Sequence, residues 1–450
     1  MKLPNLLASK WGRLATFFFL YMTEGIPLGF TATAIATEMR RQGLGPAQVG
    51  AFVGSLYLPW AFKFAFGPFV DVLSSDRWGR RRMWIVIAQV MMVATLMAAL
   101  PVNFSSELRL FTWIILLHNV FGATQDVAID ALACSVLRED ERGLANGLMF
   151  GGAYLGQAIG GSGVLFLSAY IGFKASFFFV VAWILAVTIL IALPIREPKR
   201  GPAPPTSASP LEAAGREIGR FALDSYHAFV GSRAAFVGVV FALLPAGAYA
   251  LGLALQSNLA VELGMDNSAI GWLNLWSTLI SAGGCVLGGL LSDRFGRRRM
   301  LSLYLACTAL PTLYLAAALT KHGWTMPVDP QKTDHPLAPA ALLGAFWIAT
   351  LVYALFNGLM YGTRTALFMD VTTPAVAATQ FTAYMAMLNL VISYSATWQG
   401  WAVERFGYPR TLVADAVLGL ASLALLPLMK VVKKTDPGLT AEAIPEAITP

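Results

Sequence analysis

Charge is scarce in this sequence. Only 13% of its residues are Asp, Glu, Lys or Arg, about half the share of an average soluble domain. Apolar residues make up 57% and mean hydropathy is +0.63. A soluble chain of 450 residues buries about three quarters of its surface. It could not hide this much apolar side chain and keep a wettable exterior. Cysteine is scarce too. Cys134, Cys285 and Cys307 lie far apart in apolar stretches, which excludes a disulfide framework or a metal-ligand spacing. The four histidines form no cluster. The phosphate-cradling pattern GxxxxGK[ST] is absent, which argues against ATP as the direct driver. No nucleophile stands beside a base, so intramembrane enzyme chemistry is the weakest reading.

What the chain has instead is a series of apolar runs. A membrane-spanning helix needs about 20 mostly apolar residues. Twelve such runs occur, at 14–37, 47–70, 83–101, 108–134, 143–169, 173–194, 234–260, 268–291, 300–319, 338–366, 375–402 and 411–431. The first has a basic start and could pass for a signal peptide. The apolar run continues past it with no convincing cleavage site, so it reads as an uncleaved span.

Between the sixth and seventh runs lies REPKRGPAPPTSASP, rich in proline and serine. It reads as a linker without a core of its own. The expected organisation is a six-helix bundle over 1–195, a cytoplasmic linker at 196–233, a second six-helix bundle over 234–432, and a disordered tail at 433–450. The proline-rich segment KHGWTMPVDPQKTDHPLAP after the ninth span reads as an irregular loop.

One short motif recurs. SDRWGRRRM occupies 75–83 and SDRFGRRRM occupies 292–300, with eight of nine letters shared at a separation of 217. Each copy sits between the second and third span of its group of six. The chain therefore reads as an internal duplication. Two six-span halves around a central site make an all-α membrane protein of the major facilitator plan.

Most of the 32 lysines and arginines fall in the segments on one side of that topology. The positive-inside rule puts that side, and both termini, in the cytoplasm. The net charge of +7 thus anchors topology against anionic lipid, and does not point to nucleic acid. The repeated motif has two readings. Asp76, Arg77, Arg80, Asp293, Arg294 and Arg297 can latch the cytoplasmic mouth, or they can serve only as positive anchors.

Ionisable residues inside a span are functional by default. Glu24 lies in LYMTEGIPLGF, roughly 15 Å deep at 1.5 Å per residue. Lys63 and Asp126 both fall roughly 24–27 Å from the outer face by the same rise. A lone lysine there is costly, so a Lys63–Asp126 ion pair is expected. Asp126 and Asp130 lie one turn apart on one helix face, with His118 on the same stripe. Two carboxyls that close repel as a pair of anions, and a proton relieves the repulsion. Glu24, Asp126 and Asp130 are therefore the candidate proton carriers. Asp130 alternatively bonds only to the adjacent loops, and His118 alone reads as a packed cavity residue.

Asn119 and Gln125 accompany that stripe. In the second half Asn357, Tyr361 and Arg364 share a face, and Tyr384 and Asn389 add polar groups in the eleventh span. These are the candidate substrate contacts. Arg364 either holds an anionic solute or anchors the cytoplasmic end.

Several segments resemble one family. ATQDVAIDA at 123–131, KFAFGPFVD with its following GRRR, AATQFTAYMA at 377–386 and GWAVERFGY at 400–408 are similar to the AmpG-like branch of the major facilitators. That branch includes muropeptide permeases, acetyl-coenzyme A transporters and some siderophore permeases. The resemblance implies proton-driven uptake across the cytoplasmic membrane, with Gln125, Asp126, Asp130 and Lys63 at matching motif positions. In the muropeptide permeases the cargo is an anhydro-muramyl disaccharide or its peptide. Typical muropeptide permeases carry more spans than the twelve counted here, which brings this chain nearer the siderophore permeases. The expected partners are a small-molecule solute, protons and the bilayer. No cofactor and no metal are expected, and a monomer is. A drug exporter and a non-transporting nutrient sensor are the rival readings.

Overall fold

The computed structural model describes residues 5–72, 78–138, 141–197, 210–230, 233–332, 336–371 and 377–429. Every regular element among them is helical. Seven helices are long and apolar enough to cross a membrane by length and composition: Arg80–Ala99, Leu144–Ile171, Phe173–Ala192, Asn267–Phe295, Arg297–Lys321, Ala340–Val371 and Tyr408–Leu428. The remaining apolar stretches are helical as well, but are interrupted or richer in polar residues. Helices are numbered below by the apolar stretch they fill, from span 1 to span 12.

The interruptions follow from composition. In span 2, the helix Pro46–Leu56 gives way to short turns at Leu58–Ala61 and Lys63–Ala65 before Gly67–Val72. Pro59 and Pro68 each remove a backbone donor and crowd the preceding turn. Span 7 breaks between Arg233–Ala242 and Ala254–Glu262, at Pro245 and at Gly247, whose φ of +83° suits glycine. Backbone groups freed within a membrane must find partners. The neighbours supply them. Asp415 Oδ2 accepts from the amides of Tyr249 and Ala250 at 2.8 and 2.9 Å, and Tyr353 donates to Ala248 O at 2.9 Å. Thr308 Oγ1 accepts from Ala248 N at 3.1 Å.

Glycine brings several spans into close contact. A Cβ at Gly25, Gly156 or Gly160 would run into the facing backbone of span 5 or span 1. Gly284 and Gly358 do the same for spans 8 and 10. Such close approach supplies the packing that lipid-facing helices lack from the hydrophobic effect.

Both motif glycines, Gly79 and Gly296, have positive φ (84° and 95°) and begin the helices Arg80–Ala99 and Arg297–Lys321. The two copies therefore make the same tight turn. The face that carries them is called the motif face here.

Most of the proline-rich stretch, 198–209, lies outside the described residues, and the linker after it is helical. A helix runs over Pro210–Val230 and packs on the motif-face ends of spans 2 and 11. Its sequence LEAAGREIGRFALDSYHAFV places apolar residues at helical spacing after the proline-rich part ends. Phe229 is buried there, with its ring 5.2 Å from that of Tyr384. The tail at 433–450, Asp76 and Arg77 lie outside the described residues.

Candidate functional site

The break in span 2 positions Lys63 beside span 4. Lys63 Nζ donates to Asp126 Oδ2 at 2.9 Å and lies 4.0 Å from Asp130 Oδ2. One turn earlier on span 4, Gly122 leaves room for the indole of Trp60. Tyr21 of span 1 donates to Asp130 Oδ1 at 2.5 Å. Glu24, one turn further along span 1, lies within electrostatic reach of Asp126, Lys63 and Asp130, and its Oε2 has no hydrogen-bond partner. Spans 1, 2 and 4 thus gather three carboxyls around a single ammonium. Fully ionised, the cluster would carry uncompensated negative charge.

Gln125 faces the other way. It is buried and donates to Thr23 Oγ1 at 3.0 Å, as Gln89 does at 3.2 Å. Thr188 closes this belt by donating to Gln89 Oε1 at 2.7 Å. His118 is fully buried against span 3, with Nδ1 3.1 Å from Thr95 Oγ1 and 3.0 Å from Met92 O. Asn119 is also buried, and its Nδ2 has no partner.

In the second half, Arg364 is 1% exposed. Its Nη1 donates to Tyr249 Oη at 2.7 Å, and its guanidinium carbon lies 5.3 Å from the Tyr361 ring centre. Tyr361 reaches across to the first half, within electrostatic range of Lys63, Tyr57 and Tyr154. Asn357 is partly buried one turn before it. Tyr384 is buried away from this group, stacked 4.6 Å from Phe368 and donating to Ala235 O at 3.1 Å. Asn389 donates to Met385 O of its own helix at 3.1 Å.

At the motif face the ion pairs seen among the described residues stay within each half. Arg297 donates to Asp293 Oδ1 at 2.9 Å and to Asp370 Oδ1 at 2.5 Å, joining spans 8 and 10. Exposed Arg294 lies over the Phe295 ring. Arg80 opens span 3, where the amides of Arg81 and Arg82 donate to Glu197 Oε1 at 2.9 and 2.7 Å.

The opposite face is different, because there the halves are joined. Arg40 of span 1 donates through Nη2 and Nε to Glu262 Oε1 of span 7, at 2.7 and 3.0 Å. Both are buried, at 2% and 0% exposure. Glu262 also accepts from Tyr408 Oη at 2.6 Å and from Val328 N at 2.9 Å. Arg40 donates further to Leu44 O and Val328 O. Arg41 donates to Met265 O, and Ala47 N to Glu404 Oε1. Neither Arg40 nor Glu262 stands out in the sequence. They lie 222 positions apart, at span ends where single charges are common.

A chain closed across one face, with acids and a lysine gathered inside its first half, is arranged like a carrier. The Major Facilitator Superfamily profile matches it twice, over 14–246 and over 237–448. The chain belongs to the Major Facilitator Superfamily. Among its relatives is the anhydromuropeptide permease of Escherichia coli (strain K12), 23% identical over 424 residues, which are 92% of this chain and 79% of that protein. A putative transporter AmpG 4 of Rickettsia conorii is 26% identical over 189 residues, or 41% of this chain and 45% of that one. Among solved structures, the inward open xylose transporter XylE from E. coli superposes with a TM-score of 0.68 at 13% identity, covering 95% of this chain and 98% of that one. The nucleoside transporter NupG gives 0.64 at 14% identity, covering 93% and 100%. The relatives are permeases and transporters, not enzymes. This major facilitator is accordingly a multi-pass membrane transporter.

Proposed function

We propose that this transporter imports an anhydromuropeptide, or a similarly bulky polar solute, across the cytoplasmic membrane together with protons. The reading rests on one observation above all: three carboxyls, Glu24, Asp126 and Asp130, share the ammonium of Lys63 at the centre of the first half. It is supported by the likeness to the anhydromuropeptide permease over most of the chain.

The motif face is the cytoplasmic face in this reading, with both termini inside. The Arg40–Glu262 contact then closes the outer mouth. Alternating access requires that contact to open, admitting solute and a proton from outside. Protonation of the acid cluster neutralises a buried charge and loosens Lys63 from Asp126. Closure at Arg40–Glu262 then passes both to the cytoplasm. The halves supply tyrosines, Tyr57 and Tyr154 from the first and Tyr249 and Tyr361 from the second, that suit sugar rings through stacking and hydroxyl contacts. The motif arginines anchor the cytoplasmic ends of each half and latch them in the outward-open state. The unit of transport is the monomer.

The test is uptake of labelled anhydro-muropeptide into spheroplasts that express the protein, with and without a protonophore. Uptake that collapses with the proton gradient is expected. No uptake by well-inserted protein overturns the muropeptide assignment and turns the assay to ferric siderophores. Resistance to toxic compounds, rather than uptake, would instead mark an exporter.

A further inference from the structure

Arg364 is a buried cation without a buried anion. Among the described residues no carboxylate lies within ion-pair distance of it. Its one hydrogen bond goes to a phenol, Tyr249, and its Nε has no partner. A guanidinium carries five N–H donors, so most of its fork is unused. Asp415, a buried acid of the same half, is already engaged. That carboxylate accepts from Tyr249 N, Ala250 N and Gln399 Nε2, holding the broken turn of span 7 together. An unpaired buried charge is unfavourable and persists where function needs it.

The duplication gives this position a counterpart. Asn119 in span 4 and Asn357 in span 10 each precede a charged residue by seven positions. In the first half that residue is Asp126, and in the second it is Arg364. Spans 4 and 10 are the fourth spans of their respective halves. Tyr361, whose ring covers Arg364, is within electrostatic range of Lys63, which holds Asp126. Tyr361 is thus within electrostatic range of both charged positions, one in an acidic cluster and the other a cation without a carboxylate partner among the described residues.

We propose that Arg364 receives a carboxylate of the transported solute, so that the cargo is an anion whose charge the second half neutralises. The inference rests on the transporter reading above and narrows its substrate class. Tyr249 and Tyr361 hold the guanidinium plane in place, and the solute carboxylate completes the fork in the bidentate geometry that arginine favours. Proton handling by Glu24, Asp126 and Asp130 is left to the first half. A solute bearing a carboxyl on a sugar ring matches both the arginine and the tyrosines around it.

The experiment compares purified wild type with Arg364→Gln and Arg364→Lys. The probes are 1,6-anhydro-N-acetylmuramic acid and its neutral methyl ester, with binding read by thermal stabilisation. Melting temperatures without ligand are recorded for all three proteins. The acid should bind wild type at least about tenfold more tightly than the ester, as a charged hydrogen bond warrants. Arg364→Gln should erase that preference, and Arg364→Lys should keep part of it. Equal binding of acid and ester by wild type overturns the anion inference while leaving the muramyl reading standing. If neither probe binds, the muramyl reading falls and the ligand-free melting temperatures decide the inference. An Arg364→Gln protein as stable as wild type, or more so, supports an arginine reserved for another anion. A clearly less stable one marks a structural anchor and overturns it.

Discussion

Replacing Glu262 by glutamine would keep the size of the side chain at the closed face, opposite the motif glycines, and remove its charge. In the present arrangement Glu262 Oε1 accepts two bonds from Arg40, at 2.7 and 3.0 Å, and one from Tyr408 at 2.6 Å. Breaking a buried ion pair while leaving one partner buried costs about 3–5 kcal/mol. Only part of that acts on the balance between closed and open states. In the outward-open state water reaches both charges, and a glutamine in the closed state still accepts one bond from Arg40. A differential effect of about 1–3 kcal/mol remains, or roughly 5- to 150-fold in the equilibrium. The shift is toward the outward-open form. Leu263, next to Glu262, is 2% exposed and provides the reporter. A Leu263→Cys protein lacking Cys134, Cys285 and Cys307 would be labelled from outside with a membrane-impermeant maleimide. Adding Glu262→Gln should speed labelling by a factor within that range. An unchanged labelling rate would refute the idea that this pair holds the outer mouth shut.

Asp126→Asn should abolish solute uptake while the protein still inserts and is expressed, because the exchanging carboxyl is gone but Lys63 keeps a hydrogen-bond acceptor; full uptake would remove Asp126 from the mechanism. Hydrogen bonding to the Arg13 guanidinium, at 2.5 and 2.8 Å, holds the Glu141 carboxyl below the usual carboxylate range. Since the folded-state value is depressed, the stability this gives is complete above the ordinary value of about 4.3 and is lost as pH falls through the lowered one. Melting curves from near neutral to acid pH should therefore show wild type and Glu141→Gln converging in acid, and a gap that stays constant would contradict this. Gly160→Leu should force spans 1 and 5 apart at the Ile26 backbone, costing about 1–3 kcal/mol or more, read as a lower melting temperature in detergent.

The sequence made some features legible because they are local. Apolar run length marks the spans, and the duplicated SDR(W/F)GRRRM marks the two turns that Gly79 and Gly296 make at positive φ. Depth along two spans put Lys63 and Asp126 at one level, and the structure places them 2.9 Å apart. Glu24 and Asp130 look independent in sequence because the residues that join them, Tyr21 and Lys63, arrive from a helix turn and a broken span. Asp415 is invisible to periodicity, since its role is to satisfy amides freed by a break in span 7, 166 positions away. The Arg40–Glu262 contact depends on how two halves meet, which no window of sequence contains. The linker helix Pro210–Val230 was hidden by the proline-rich segment just before it.

The central claim is that solute and proton cross together through the cluster around Asp126. Its most direct test is proton flux in proteoliposomes without a membrane potential. An inward gradient of anhydro-muropeptide, with equal pH on both sides, should acidify the lumen through wild type and leave it unchanged through Asp126→Asn. Solute entry without acidification in wild type would contradict the account.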